Sequence, residues 1–334
     1  MISLRDIIQA EKKIRSFVKK TSLVNSKFLS EACKGKVYLK LENQQISNSF
    51  KIRGATYRML HLSVEERKRG IITASSGNHA IAVAMAAQKF NIPTKIVVPK
   101  NTPKKKIEKI KSYNVNLVMY GDIYDQAEEK ALELAEKKGL TYISPYNDKH
   151  VIAGQGTIGL EIIEELPNVD IVIVPVGGGG LISGISTAVK NLKPNVKVFG
   201  VQPETSAVMY ESVKAGRILS LSEVKTSDSI ADAVLGGVIK EAITFRIIQK
   251  YVDEFLLVDE ETIRKAVYLL WMKEKQRVEG AGALSVAAIL AHKNRFLDKR
   301  TVAVISGGNI DDELLQSINR RIRRSKSLTS SKAF

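Results

Sequence analysis

From residue 70 onward, short apolar runs alternate with helical periods, and this rhythm restricts the fold more than any other feature. "GIITAS", "TKIVVP", "VNLVMYG" and "TYISP" read as strands. Between them, "HAIAVAMAAQKF", "TPKKKIEKIKSY" and "YDQAEEKALELAEKKG" read as helices. Strands this rich in Val and Ile are buried on both faces, as parallel strands covered by helices are. A second block starts near residue 150. There "GTIGLEIIEEL" and "LISGISTAVKNL" are helical, and "DIVIVPV", "VKVFGVQP" and "TVAVISGG" are strands. Right-handed crossovers would wind each block into its own sheet. The expectation is an α/β protein of two three-layer domains with mainly parallel sheets. A small domain, 68–148, would sit within a large one made from 1–67 and 149–318. A chain of 334 residues suits two domains.

Composition removes several classes. The single cysteine, Cys33, excludes a disulfide within the chain and a Cys-based zinc cluster. "MISLRDIIQAEKKIRSF" is charged throughout and reads as an amphipathic helix, not a signal peptide. No apolar run approaches the roughly 18 residues that would span a bilayer. A cytoplasmic protein with no membrane partner is expected. The balance of 52 Lys+Arg against 35 Asp+Glu gives +17. Part of it lies in a tail, 319–334, with six basic residues and no acid, expected to be disordered. The rest falls on helical stretches where a solvated face suffices. No helix-turn-helix, zinc-finger or RNA-binding aromatic pattern accompanies it, so no nucleic-acid partner is expected.

In open parallel sheets, ligands bind beyond the carboxyl ends of the strands. Three such turns stand out. "VPVGGGGLISG" carries Gly177, Gly178, Gly179 and Gly180 into a helix. Without Cβ atoms, backbone N–H groups can close around an anion at the positive helix end, and phosphate is the natural guest. Neither the Walker pattern nor the dinucleotide fingerprint fits. "TASSGNHAIAVA" gathers Ser75, Ser76, Gly77, Asn78 and His79 at a helix start. That arrangement suits a carboxylate, although an ordinary N-cap by Ser76 or Asn78 explains it equally well. "VAVISGGNI" ends a strand at Ser306, whose hydroxyl can make one neutral hydrogen bond. "SNSFKIRGA" adds an amine, Lys51. Phosphate cradle, amine and neutral hydroxyl together suit pyridoxal 5'-phosphate.

The same segments carry a family resemblance. "SFKIRGA", "SSGNHA", "IAGQGTIGLEI", "GGGG", "VEGAGALSVAA" and "SGGN" occur in the order and at the spacing of the fold-type II (tryptophan synthase beta-like) pyridoxal-phosphate enzymes. The chain most resembles the threonine dehydratase (threonine ammonia-lyase) and serine racemase branch. That resemblance implies that Lys51 binds the cofactor covalently and that Phe50 packs against its ring. It implies that Asn78 meets the phenolic oxygen, Gly177 to Gly180 hold the phosphate, and Ser306 meets the pyridine nitrogen. Ser75, Ser76, Asn78 and His79 would surround the substrate carboxylate, and Asn147 would lie near the cofactor. Ser76 occupies the position where the racemases place a serine opposite the lysine, which makes it a candidate second acid/base.

The implied reaction is dehydration and deamination of L-threonine, and of L-serine, to a 2-oxo acid and ammonia. The alternatives are serine racemase or 3-hydroxyaspartate dehydratase. A homo-dimer or homo-tetramer is implied as well. Two departures bear on a divalent cation. Gln202 and Val208 replace the usual acidic ligands of the family's metal loop, leaving Glu204 or Glu279 as candidate ligands. Asn48 also stands where a glycine is common.

Overall fold

The computed structural model describes residues 1–330, with side chains to residue 324. Its strands in chain order are β1 Leu23–Asn25, β2 Lys36–Lys40, β3 Ile71–Ala74, β4 Thr94–Val98, β5 Asn116–Met119, β6 Thr141–Tyr142, β7 Ile171–Pro175, β8 Lys197–Pro203, β9 Glu254–Val258 and β10 Arg300–Val304. The first seven helices are α1 Leu4–Ile14, α2 Lys27–Cys33, α3 Lys51–Leu60, α4 Val64–Arg69, α5 Asn78–Lys89, α6 Lys104–Lys111 and α7 Tyr124–Lys138. The others are α8 Lys149–Glu165, α9 Gly180–Leu192, α10 Val208–Ala215, α11 Ile243–Tyr251, α12 Glu260–Glu274, α13 Gly280–Ala291 and α14 Asp312–Ser330.

Two sheets result. β5-β4-β3-β6 is parallel throughout; β1-β2-β10-β7-β8-β9 is parallel except for the β1–β2 pair at its edge. Side-chain alternation sorts each sheet into two buried faces. In the smaller sheet, Ile96 and Val98 pack with α5 and α6, whereas Val97, Ile72 and Ala74 pack with α7. In the larger, Ile171, Ile173 and Ala303 face α12 and α13. Val172, Val174, Val302 and Val304 face α8 and α9 on the other side. Mainly parallel α/β architecture is thus what the Val/Ile runs encode.

One helix deserves a closer look for the site. α8 lies against α3 on one side and α9 on the other. A Cβ on Gly154 would sit 2.7 Å from the Arg53 oxygen and from Gly54 Cα. A Cβ on Gly156 would sit 3.0 Å from the Gly184 oxygen. The glycines of "IAGQGTIGLEI" therefore admit two neighbouring backbones. One belongs to the helix that opens with Lys51, and the other to the helix that opens with Gly180.

The same contact is reinforced by a buried ionic group. Arg53 donates to Glu42 at 2.8 Å through both Nε and Nη2, and to Glu161 at 2.5 and 2.9 Å. Lys40 pairs with Glu161 at 2.8 Å. Lys40 explains why β2 escapes the sequence reading. It is a fully buried cation inside "KVYLK", so the strand lacks the apolar run that marks its neighbours. The tail expectation needs correction too. From 319 the chain continues α14 as far as Ser330, with Ile318 and Ile322 buried against the core; 331–334 lie outside the described residues. Among the described residues no helix is long and apolar enough to cross a membrane.

Candidate active site

Lys51 opens α3 and is half-buried. Its approach is fixed by pairing with the loop after β10. Phe50 N donates to Ser306 O at 3.1 Å, and Gly308 N donates to Asn48 O at 2.8 Å. Asn48 has φ 57, in the left-handed region that Asn tolerates better than most residues, which accounts for it at a glycine-like position. The Lys51 Nζ donates to Pro145 O at 2.9 Å and lies 5.1 Å from the Phe50 ring centroid. Burial lowers its pKa to about 8, opposed by the negative field of Glu279.

Two helix N-termini converge on this region. α9 starts after Gly179, which has φ +88, and no side chain caps it. Tyr146 covers this turn. A Cβ on Gly178 would lie 2.5 Å from its ring, and one on Gly180 would lie 2.9 Å from its Cα. α5 starts after Gly77, again with no side-chain cap. The simple N-cap explanation of Ser76 and Asn78 therefore fails, and the first-turn N–H groups of α5 remain for another acceptor. Ser75 Oγ accepts from Gly77 N at 3.2 Å. Ser75 and Ser76 are half-buried in this turn. His79 is buried, with Nε2 3.0 Å from Ile143 O. Burial, then the Lys51 charge, lower its pKa to about 3, so the ring is neutral. Ser306 is buried, and its hydroxyl has no protein partner among the described residues.

Asn78 does not stand alone. Its Nδ2 donates to Glu279 Oε1 at 2.6 Å, and its Oδ1 accepts from Asn309 Nδ2 at 2.6 Å. Glu279 is a buried carboxyl. Burial, with the Asp232 charge, pushes its pKa up to about 7. Gln202 is bound by backbone, accepting from Tyr210 N at 2.8 Å. Among the described residues no group of three or more His, Cys, Asp or Glu is placed to hold a metal ion.

Asn147 stands two residues after Pro145, whose carbonyl accepts from the Lys51 amine. Its Oδ1 accepts from Ile243 N at 2.8 Å and so anchors α11. The residue that reaches the glycine turn is the neighbouring Tyr146. Sequence offered a signal for Glu279 and Asn309, since both lie in the quoted segments "VEGAG" and "SGGN". Nothing local marked Tyr146.

This chemistry is coherent. An amine whose pKa is lowered by burial, two uncapped helix N-termini and an unpaired hydroxyl suit a ligand with a carbonyl carbon, two anionic ends and a weakly basic ring nitrogen. Fold and site together suit an enzyme that works through a phosphorylated aldehyde cofactor.

The family model described as "Pyridoxal-phosphate dependent enzyme" matches residues 14–307, and the chain belongs to that family, with pyridoxal 5'-phosphate as its cofactor. It is 48% identical over 319 residues to the L-threonine ammonia-lyase of Thermotoga maritima, covering 95% of this chain and 78% of that one. The processed form of threonine deaminase isoform 2 from Solanum lycopersicum has the same fold with TM-score 0.90 and 38% identity, covering 95% of this chain and 86% of that one. Maize serine racemase superposes with TM-score 0.89 and 31% identity, covering 97% and 99%.

Proposed function

We propose that the protein is a lyase that converts L-threonine, and L-serine, to the 2-oxo acid and ammonia. The observation that carries this reading is the half-buried amine of Lys51, set beside two helix N-termini that no side chain caps. The relatives named threonine ammonia-lyase and threonine deaminase support it.

Each side chain then has a task. Gly177 to Gly180 and the N-terminus of α9 hold the phosphate, while Phe50 lines the ring. Ser306 donates one neutral hydrogen bond at the ring nitrogen and leaves it without a fixed proton. Asn78 offers its second amide hydrogen to the phenolic oxygen. The substrate carboxylate rests on the first turn of α5, with Ser75, Ser76 and Asn78 around it. His79 stays neutral and adds no competing charge. Lys51, whose pKa burial lowers to about 8, takes the proton from Cα in its neutral form. The bound cofactor supplies the electron sink for the pair left at Cα. Loss of the β-hydroxyl as water, followed by addition of water at Cα and release of ammonia, balances the overall conversion of threonine to 2-oxobutanoate.

A second activity is favoured by Ser76. It stands in the turn between β3 and α5, with no hydrogen-bond partner for its hydroxyl among the described residues, and serine racemase is a structural relative. A proton delivered from Ser76 to Cα on the face opposite Lys51 would invert serine.

The test is cofactor-loaded protein given L- and D-threonine, L- and D-serine and 3-hydroxyaspartate, with 2-oxo acid and chirality both measured. L-threonine turnover is expected, and Ser76→Ala should keep it while losing racemisation and action on D-serine. No 2-oxo acid from any L-substrate would refute the lyase reading. Equal loss on both enantiomers in Ser76→Ala would refute the second acid/base.

A further inference from the structure

The Lys109 amine lies far from Lys51 in sequence and on a different sheet unit, yet it ends a hydrogen-bond chain that runs into the site. Its Nζ donates to Asn309 Oδ1 at 2.7 Å. Asn309 Nδ2 donates to Asn78 Oδ1 at 2.6 Å and to Ser47 O at 3.0 Å. Asn78 Nδ2 donates to Glu279 Oε1 at 2.6 Å. Asn48 Nδ2, at 3.4 Å, is a second donor to Asn309 Oδ1.

An amide by itself does not declare which end is oxygen, and a network must settle it. Here the network has only one solution. An ammonium group has donors and no lone pair, so the Asn309 atom facing Lys109 is oxygen. The other end of Asn309 is then NH2, and the Asn78 atom it meets must be oxygen. Asn78 is left with its NH2 toward Glu279 and the site. All three bonds point the same way, from a cation to a carboxyl, and bonds in such a chain polarise one another.

We propose that Lys109 is a positioning residue that acts through Asn309 to keep the amide hydrogens of Asn78 turned toward the cofactor's phenolic oxygen. The inference rests on the functional reading above, in which Asn78 meets that oxygen. If Lys109 is removed, the Asn309 amide loses its shortest fixing donor and is held only by Ser47 O and the longer Asn48 bond. Asn78, then fixed mainly by Glu279, spends more time with its oxygen toward the phenolic oxygen. α6, which carries Lys109, also pairs Lys106 with Asp232 at 3.4 Å, so α6 keeps a tie across the two sheet units without Lys109. The amide orientation is therefore separable from simple closure.

The experiment compares wild-type, Lys109→Met, Lys109→Arg and Asn309→Asp proteins loaded with pyridoxal 5'-phosphate. The absorption maximum of the bound cofactor, its dissociation constant, and kcat and KM for L-threonine are measured with the melting temperature. Lys109→Met should move the absorption maximum, weaken cofactor binding about 10-fold, as the loss of one hydrogen bond to the ligand would, and lower kcat more than it raises KM. Lys109→Arg, which keeps a donor, should restore all three. Asn309→Asp, which cannot donate to Asn78, should repeat the Lys109→Met spectrum. A Lys109→Met protein with the wild-type spectrum and wild-type cofactor affinity overturns the proposal, whatever happens to KM. So does an effect that Lys109→Arg fails to rescue. Wild-type protein that takes up no cofactor would overturn the functional reading and this inference with it.

Discussion

Gly154→Ala tests whether α8 sets the position of Lys51, the proposed catalytic lysine. The added methyl would meet Arg53 O at 2.7 Å, Gly54 Cα at 2.7 Å and Arg53 C at 2.9 Å, all backbone atoms of α3. Ordinary contact between such atoms needs about 0.7 Å more, so α3 and α8 must part by roughly that distance. Overpacking of this kind costs about 1–3 kcal/mol. Alanine returns up to about 1 kcal/mol of helix propensity over glycine. The net loss is therefore modest, on the order of 0–2 kcal/mol, and the melting temperature should fall by no more than about 3 °C in a chain this long. Activity should suffer more. The displaced backbone at Arg53 is two residues from Lys51, and sub-ångström misplacement of a reacting group lowers turnover by about 10- to 100-fold. Initial rates of 2-oxo acid release from L-threonine, read beside a thermal melt, check this. A variant with wild-type kcat would refute the reasoning. So would a rate loss fully matched by loss of folded protein.

Two further outcomes follow from buried charge. Arg53→Met leaves Glu42 and Glu161 without their main partner, and breaking a buried pair from one side costs about 3–5 kcal/mol. Chemical denaturation should show that loss, and a change under about 1 kcal/mol would contradict the network's role. Glu279 sets a pH dependence. Its pKa of about 7 in the folded chain exceeds the ordinary 4.5, so between these values the folded state keeps a proton that the unfolded chain has released. Stability of the cofactor-free protein should therefore fall by about 3 kcal/mol as pH rises from about 4.5 to 7. Glu279→Gln should lack this fall, and equal pH slopes in the two proteins would refute it.

Much of the fold is legible because parallel strands buried on both faces must be apolar in succession. β3, β4, β7, β8 and β10 obey that rule and read directly. β2 does not, because Lys40 is buried among carboxylates from distant α8, and sequence patterning cannot tell a paired internal lysine from a surface one. The start of the C-terminal basic run reads otherwise in the structure, since Ile322, with Leu315 and Ile318 just before it, buries one face of a helix whose basic residues lie on its other faces. At the site, the segments bearing Lys51, Ser75 to His79, Gly177 to Gly180 and Ser306 stood out because each placed unusual residues after a strand or before a helix. What each glycine must clear was not legible, since Tyr146 arrives from the other sheet's final loop. Lys109 and Asn309 are 200 residues apart, and no local pattern joins them.

The central claim is that Lys51 is the amine that holds the cofactor. Reducing the cofactor-loaded protein with borohydride fixes the cofactor to that amine, and mass spectrometry of the digested chain then locates the added mass. The account predicts one modified residue, Lys51, in the peptide containing "SFKIRGA". A tag on any other lysine, or no tag on protein that is fully loaded, would contradict it.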